Sequence, residues 1–157
     1  MGMALASALL CGTATQATSS TLCRADETVW FSCRVGTAKI VSLCGTRDTL
    51  QYRFGTAQHL ELRHPAAPST GHTAFRWAGY TRYQTNRTEV RFSRQGVDYI
   101  LFDHMENMRR DTGVEVASAT RLPCLGGLQS QLGKLKDKLP CDEDSALNLG
   151  ACPTPSD

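Results

Sequence analysis

No stretch of the chain reaches the ~20 consecutive apolar residues that a membrane-spanning helix needs, which excludes a helical span. The chain is also short of recognisable catalytic signatures. It holds no Gly-x-Ser-x-Gly elbow, no phosphate-cradling glycine loop, no dinucleotide fingerprint, no Cys-x-x-Cys pair and no His-Glu-x-x-His, so the common nucleophile, nucleotide and zinc chemistries have nothing to start from. Charge of one sign is scarce too. A net charge of +2 is too small for the electrostatic footprint of a nucleic-acid binder, so no nucleic acid is expected as a partner. Lysine is nearly missing from the body: Lys39 is the only one between Arg24 and Cys124, every other basic residue there being arginine. Arginine suits forked contacts to carboxylate, phosphate or sulfate. The body has a small excess of basic residues and the segment after Cys124 a small excess of acidic ones.

What is present is cysteine. Residues 1–20 look like a signal-type leader, with an apolar run from Met3 to Leu10 and small residues around Thr15-Gln16-Ala17 for cleavage, although no Lys or Arg precedes the run. A lipoprotein signal ending at Cys11 is the alternative, but Leu10 stands where a small residue is required. Setting the leader and Cys11 aside leaves an even set, Cys23, Cys33, Cys44, Cys124, Cys141 and Cys152. An exported chain with paired cysteines reads as a disulfide framework in an oxidising compartment, periplasmic or secreted. Connectivity stays open at this level. A hairpin turning at Gly36 leaves Cys33 and Cys44 out of register, which excludes that one pair; the favoured arrangement joins Cys141 to Cys152 and Cys33 to Cys124, leaving Cys23 with Cys44.

After the leader the pattern is period two, the signature of strands. Val29, Phe31 and Cys33 alternate with polar neighbours, as do Leu50, Tyr52 and Phe54, then Leu60 and Leu62, then Val90 and Phe92; Val97 to Phe102 reads as a more buried strand, and Val114 and Val116 flank Glu115. Glycine, Asn and Asp between the runs supply reversals. Pro65 to His72 reads as a long surface loop dividing the sheet, and Met105 to Gly113 as a second loop. Leu125, Leu128, Leu132, Leu135 and Leu139 recur at three and four, predicting a helix that Pro140 ends; Gly126, Gly127 and Gly133 weaken it. The expected fold is mainly β, an antiparallel β-sandwich or flattened β-barrel of about seven to nine strands with a short C-terminal helical appendage. The domains expected are a leader over 1–20, a disulfide-stapled β domain over 21–124, and a C-terminal helix with a cysteine-closed tail over 125–157.

The richest candidate surface is Phe75-Arg76-Trp77-Ala78-Gly79-Tyr80-Thr81-Arg82-Tyr83 with Arg87. Rigid rings interleaved with arginine forks are what partner surfaces use, so Arg76, Trp77, Tyr80, Arg82, Tyr83 and Arg87 are the expected binding residues, although alternation sends part of the run into the core. The competing reading is a hydrolase or metal-dependent enzyme built on Asp103, His104 and Glu106, which follow the most apolar strand. His59, His64 and His72 lie at no ligand spacing, and Asp142, Glu143 and Asp144 lack the glycine and alternating oxygens of a calcium loop, so no metal and no cofactor is expected. Asn86-Arg87-Thr88 fits a glycosylation sequon. A carrier of a small apolar ligand is a third reading, which needs a cavity.

The order Trp30-Phe31-Ser32-Cys33, Ser42-Leu43-Cys44, Gln51-Tyr52-Arg53-Phe54-Gly55, Glu61-Leu62, Asp98-Tyr99-Ile100, Gly113-Val114-Glu115-Val116 and Leu122-Pro123-Cys124 resembles a group of uncharacterised small exported bacterial β-proteins. The likeness runs from Glu27 to Cys124 and implies a β-rich domain that is periplasmic or secreted, with no particular activity. More distantly, an opening Phe-x-Cys strand and a closing cysteine are similar to the membrane-bound C-type lysozyme inhibitors, small antiparallel barrels that plug an enzyme cleft. Their Ser-Gly-x-x-Tyr loop is missing here, so no inhibitor residue carries over. The function expected is a non-catalytic envelope protein whose partner is a protein or glycan.

Overall fold

The computed structural model describes residues 20–148 and residue 152. The leader, apart from Ser20, lies outside the described residues, as does Cys11. Ten strands form two antiparallel five-stranded sheets that face each other as a sandwich, with no closed barrel. The first holds β1 (Thr28–Arg34), β2 (Ile40–Gly45), β3 (Leu50–Gly55), β4 (Leu60–His64) and, beside β1, β10 (Gly126–Ser130); the second is the meander β5 (Arg76–Arg82), β6 (Thr85–Arg94), β7 (Val97–Glu106), β8 (Arg109–Val116), β9 (Thr120–Pro123). The segment after Pro65 does carry the chain between the two sheets, through a 3-10 turn at Pro68–Thr70 and one helical turn, α1 (Gly71–Ala74).

Period-two alternation decides which faces meet. Phe31 is level with Leu43 and Leu43 with Tyr52 in the first sheet, while Trp77, Val90, Leu101, Val114 and Leu122 run level across the second. These rows build one core, in which Phe31, Leu43, Val90, Leu101 and Val114 are fully buried. Phe92 sits at its aromatic end, stacked between Tyr99 at 4.7 Å and His64 at 4.7 Å.

The six cysteines pair in the favoured arrangement, Cys23 with Cys44, Cys33 with Cys124 and Cys141 with Cys152. Cys33 lies level with Val41 and Cys44 with Val29, so those two cysteines sit at opposite ends of their hairpin. The Cys33–Cys124 bridge ties the first sheet to the end of β9.

Two local expectations change. The run Leu125–Leu139 is divided: Gly126–Ser130 is a strand that completes β1's open side, and the helical part is a 3-10 turn, Leu132–Leu135. The glycine pair decides this, since Gly127 has φ 64°, a left-handed conformation no helix interior uses. Only the later leucines keep the predicted role: Leu132, Leu135 and Leu139 are buried in the common core. Met105 to Gly113 is no loop either. It is the end of the β7–β8 hairpin, turning on Asn107 and Met108. That end projects past the core, so its strands carry no apolar alternation and the sequence reads as loop.

The outer face of the first sheet is polar and nonetheless buried, because residues 20–27 lie across it. Ser32 Oγ donates to the Ser20 carbonyl at 2.9 Å, and the Leu22 amide donates to Ser42 Oγ at 2.9 Å. Arg53 makes a two-pronged pair with Glu27 at 2.6 and 2.7 Å and also donates to Gln51 Oε1 and the Leu22 carbonyl. Desolvation pushes the Glu27 carboxyl up, yet the Arg53 guanidinium and the Arg24 amide outweigh it and hold it below the usual carboxylate range.

Candidate functional site

The β5–β6 hairpin carries the six expected binding residues, and the fold sorts them into two groups. Trp77 is structural. Its ring packs on the core, its Nε1 donates to the Leu132 carbonyl at 3.0 Å, and its backbone amide and carbonyl bond Pro140 and Asp142 of the tail at 2.8 Å each. The tail runs parallel to β5 here, Cys141 lying beside Trp77, and thereby takes up edge hydrogen bonds that would otherwise face solvent. Arg76 is exposed beside Thr73, at the opposite end of β5 from the hairpin turn. Tyr80, Arg82, Tyr83 and Arg87 gather at the turn end. The Arg82 guanidinium lies 6.0 Å from the Tyr80 ring centre, Arg87 pairs with Glu106 at 2.7 Å, and Tyr83 is 87% exposed.

The neighbouring hairpin brings residues the sequence did not single out. Met108 is 91% exposed at the β7–β8 turn, and the Asn107 amide donates to the Gln84 carbonyl at 2.9 Å, which locks the two hairpin tips side by side. Asn107 and Met108 have φ 48° and 65°, both positive, as in the mirror-image turn that favours Asn followed by glycine. Methionine in this position costs roughly 1–2 kcal/mol against glycine, and full exposure leaves its apolar side chain uncompensated. Behind the tips, on the outer face of the second sheet, Arg121 lies 4.1 Å above the Phe102 ring and pairs with Asp111 at 2.6 Å. Arg109 is exposed and makes no ion pair among the described residues. An open cleft of about 820 Å³ lies among Arg87, His104, Glu106, Arg109 and Arg121. The available signal was the placement of Met where an Asn-Gly turn is usual, hidden because the segment read as a loop.

The competing trio does not converge. Asp103, His104 and Glu106 lie on one strand, so Asp103 faces the space between the sheets while His104 and Glu106 face outward. Asp103 accepts two hydrogen bonds from Arg110 at 2.9 and 2.7 Å and one from Ser130 Oγ at 2.5 Å, which latches β7 and β8 to β10. His104 Nε2 is 3.1 Å from Glu89 Oε1, and Glu89 Oε2 accepts from Ser145 at 3.2 Å. Among the described residues the one cluster of metal-type donors, Cys23, Glu27 and Cys44, has its sulfurs bonded to each other and its carboxylate held by Arg53. Asp142 in the acidic tail is buried, pairs with Arg91 at 2.8 Å and accepts from the Asp144 amide, a turn-capping role.

The latch has a pH signature. Burial raises the Asp103 carboxyl's pKa, but the hydrogen bonds from Arg110 and Ser130 outweigh that and hold it below the ordinary value. A depressed folded pKa gives stability that is fully present above the unfolded value, about 3.9, and lost as pH falls through the folded one. Asp103→Asn should therefore be less stable by ~1–2 kcal/mol at neutral pH, with the gap closing in acid; urea titrations at pH values on either side of the transition measure it, and a pH-independent gap would contradict the latch.

No protein-family model matches the chain, and no curated protein or solved structure matches it.

Proposed function

We propose that the protein is a non-catalytic exported protein that binds a macromolecular partner of the cell envelope, a protein or a glycan, through the hairpin-tip end of its second sheet. One observation carries this reading: Tyr83 and Met108 project side by side at 87% and 91% exposure, fixed by the Asn107–Gln84 hydrogen bond and unused by the fold. Exposed large side chains flanked by arginine are the anchors of recognition surfaces. Three disulfides, and the lack of any helix long and apolar enough to cross a membrane among the described residues, fit a periplasmic or secreted location. A lysozyme-inhibitor-like role, in which the tips enter another protein's cleft, is the most concrete form.

The test is site-specific photocrosslinking in the native envelope. A benzoylphenylalanine replacing Tyr83 should yield a discrete adduct, and the same group replacing Asp48, an exposed turn residue of the first sheet, should not. Equal or absent adducts at both positions would remove the reading. Clearance of cell walls by a C-type lysozyme, with and without stoichiometric protein, tests the inhibitor form; unaffected clearance ends that form alone.

A further inference from the structure

We infer that the partner at the hairpin tips is a protein presenting an apolar pocket rimmed by carboxylates, an inference that rests on the binding surface proposed above. Three observations select this chemistry. First, Met108 occupies a left-handed turn position suited to glycine and is almost wholly exposed. The chain accepts both backbone strain and a bare apolar side chain at one point, a combination expected where a residue is kept for function rather than folding. A methionine is flexible and polarizable, and it fills pockets of irregular shape.

Second, the cations beside it are arginines, and two of them have spare capacity. Neither Arg109 nor Arg82 makes an ion pair among the described residues; Arg82 lies over the Tyr80 ring, and its charge also reaches Glu106. A planar guanidinium forks onto a carboxylate with two parallel hydrogen bonds, which a lysine cannot do. Third, carboxylates are interspersed with them: Glu106 on Arg87 and Asp111 on Arg121. The cations on the two hairpins themselves are arginines, with Lys136 lining the adjacent pocket beside Tyr80 and Arg87, whereas a polybasic, lysine-rich face free of carboxylates is what an anionic bilayer attracts. A mixed pattern instead sorts protein partners by the placement of their charges. A glycan would be met by the exposed Tyr83 ring and would not need Met108, so dependence of binding on Met108 separates a protein from a sugar. The acidic stretch Asp142 to Asp144 lies beside Arg76 and Arg91, at the other end of the sheet, where Asp142 is already paired with Arg91.

The experiment selects random peptides displayed on phage against the oxidised full-length protein. The enriched peptides should carry Asp or Glu around a single large apolar residue, and their binding should weaken at least tenfold with Met108→Asp and with Arg109→Glu, but not with Asp48→Lys. Met108→Gly separates function from folding: it should raise the thermal midpoint by relieving the turn while weakening peptide binding at least tenfold. Basic or charge-indifferent peptides, or a lowered midpoint for Met108→Gly, would overturn the inference. So would Met108-dependent binding to vesicles of equal parts phosphatidylglycerol and phosphatidylethanolamine, or head-to-tail association in which the acidic tail of one copy occupies the tips of another. A position-83 crosslink that survives alongside peptides of the wrong charge would sink the partner chemistry and leave the binding surface standing.

Discussion

Replacing Cys33 and Cys124 by alanine is expected to remove about 4–5 kcal/mol of stability, a large fraction of the roughly 5–15 kcal/mol that a folded domain holds in reserve. The bridge spans a sequence separation of 91, against 21 and 11 for the other two, and the entropy it denies to the unfolded chain grows with the loop it closes. Cys33 is fully buried in the core, so the loss also leaves a gap between the sheets. The Cys141–Cys152 pair closes a short loop, and its removal should cost nearer 3 kcal/mol. Urea unfolding of the oxidised variants measures both. A loss under about 1 kcal/mol for the long bridge would mean that the apolar core alone holds the sheets together.

The second large effect lies on the outer face of the first sheet. Arg53→Met should destabilise by ~3–5 kcal/mol, because it strands the Glu27 carboxylate in a buried position. The side chains of Arg53 and Glu27 are only 3% and 6% exposed, so water cannot take over the lost contacts. Gln51 Oε1 and the Leu22 carbonyl lose donors as well. Adding Glu27→Leu removes the isolated charge and should restore part of the loss, a coupling that a double-mutant cycle reads directly. If the double variant is as unstable as the single one, the residue-20–27 segment is held by Cys23–Cys44 and the serine contacts rather than by the ion pair.

The sandwich was legible because alternation is a strong signal wherever one face of a strand is buried. Phe31, Tyr52 and Phe92 mark the inner faces without help from any other source, whereas Val97 to Phe102, read as a more buried strand, is buried only at Leu101 and Phe102. The same register logic excluded one pairing, since Cys33 and Cys44 belong to opposite ends of one hairpin; it did not choose among the connectivities that remained. The reading failed where strands leave the core. Residues 105–113 alternate nothing apolar, because residues 107–111 at the hairpin end are exposed on both faces, so a strand pair passed for a loop and took Met108 with it. The leucine spacing after Leu125 misled for a different reason: tertiary pairing with β1 overrode a local periodicity that the glycines had already weakened. At the candidate site, alternation put Phe75 inward and Arg76 outward, but which residues meet depends on two hairpins lying side by side. Local pattern does not carry that fact. Asp103 and His104 are adjacent in sequence and separated by the thickness of the sheet, which is why neighbouring acid and imidazole groups on a strand make a poor catalytic signal.

The contact between Trp77 and the residues around Cys141 bears on how the protein is made. A ribosome releases β5 some sixty residues before the segment that closes its margin, and throughout that interval the nascent chain offers an unfilled template to any extended neighbour. A stop codon ahead of Pro140 would leave the Trp77 amide and carbonyl without the partners that the tail supplies.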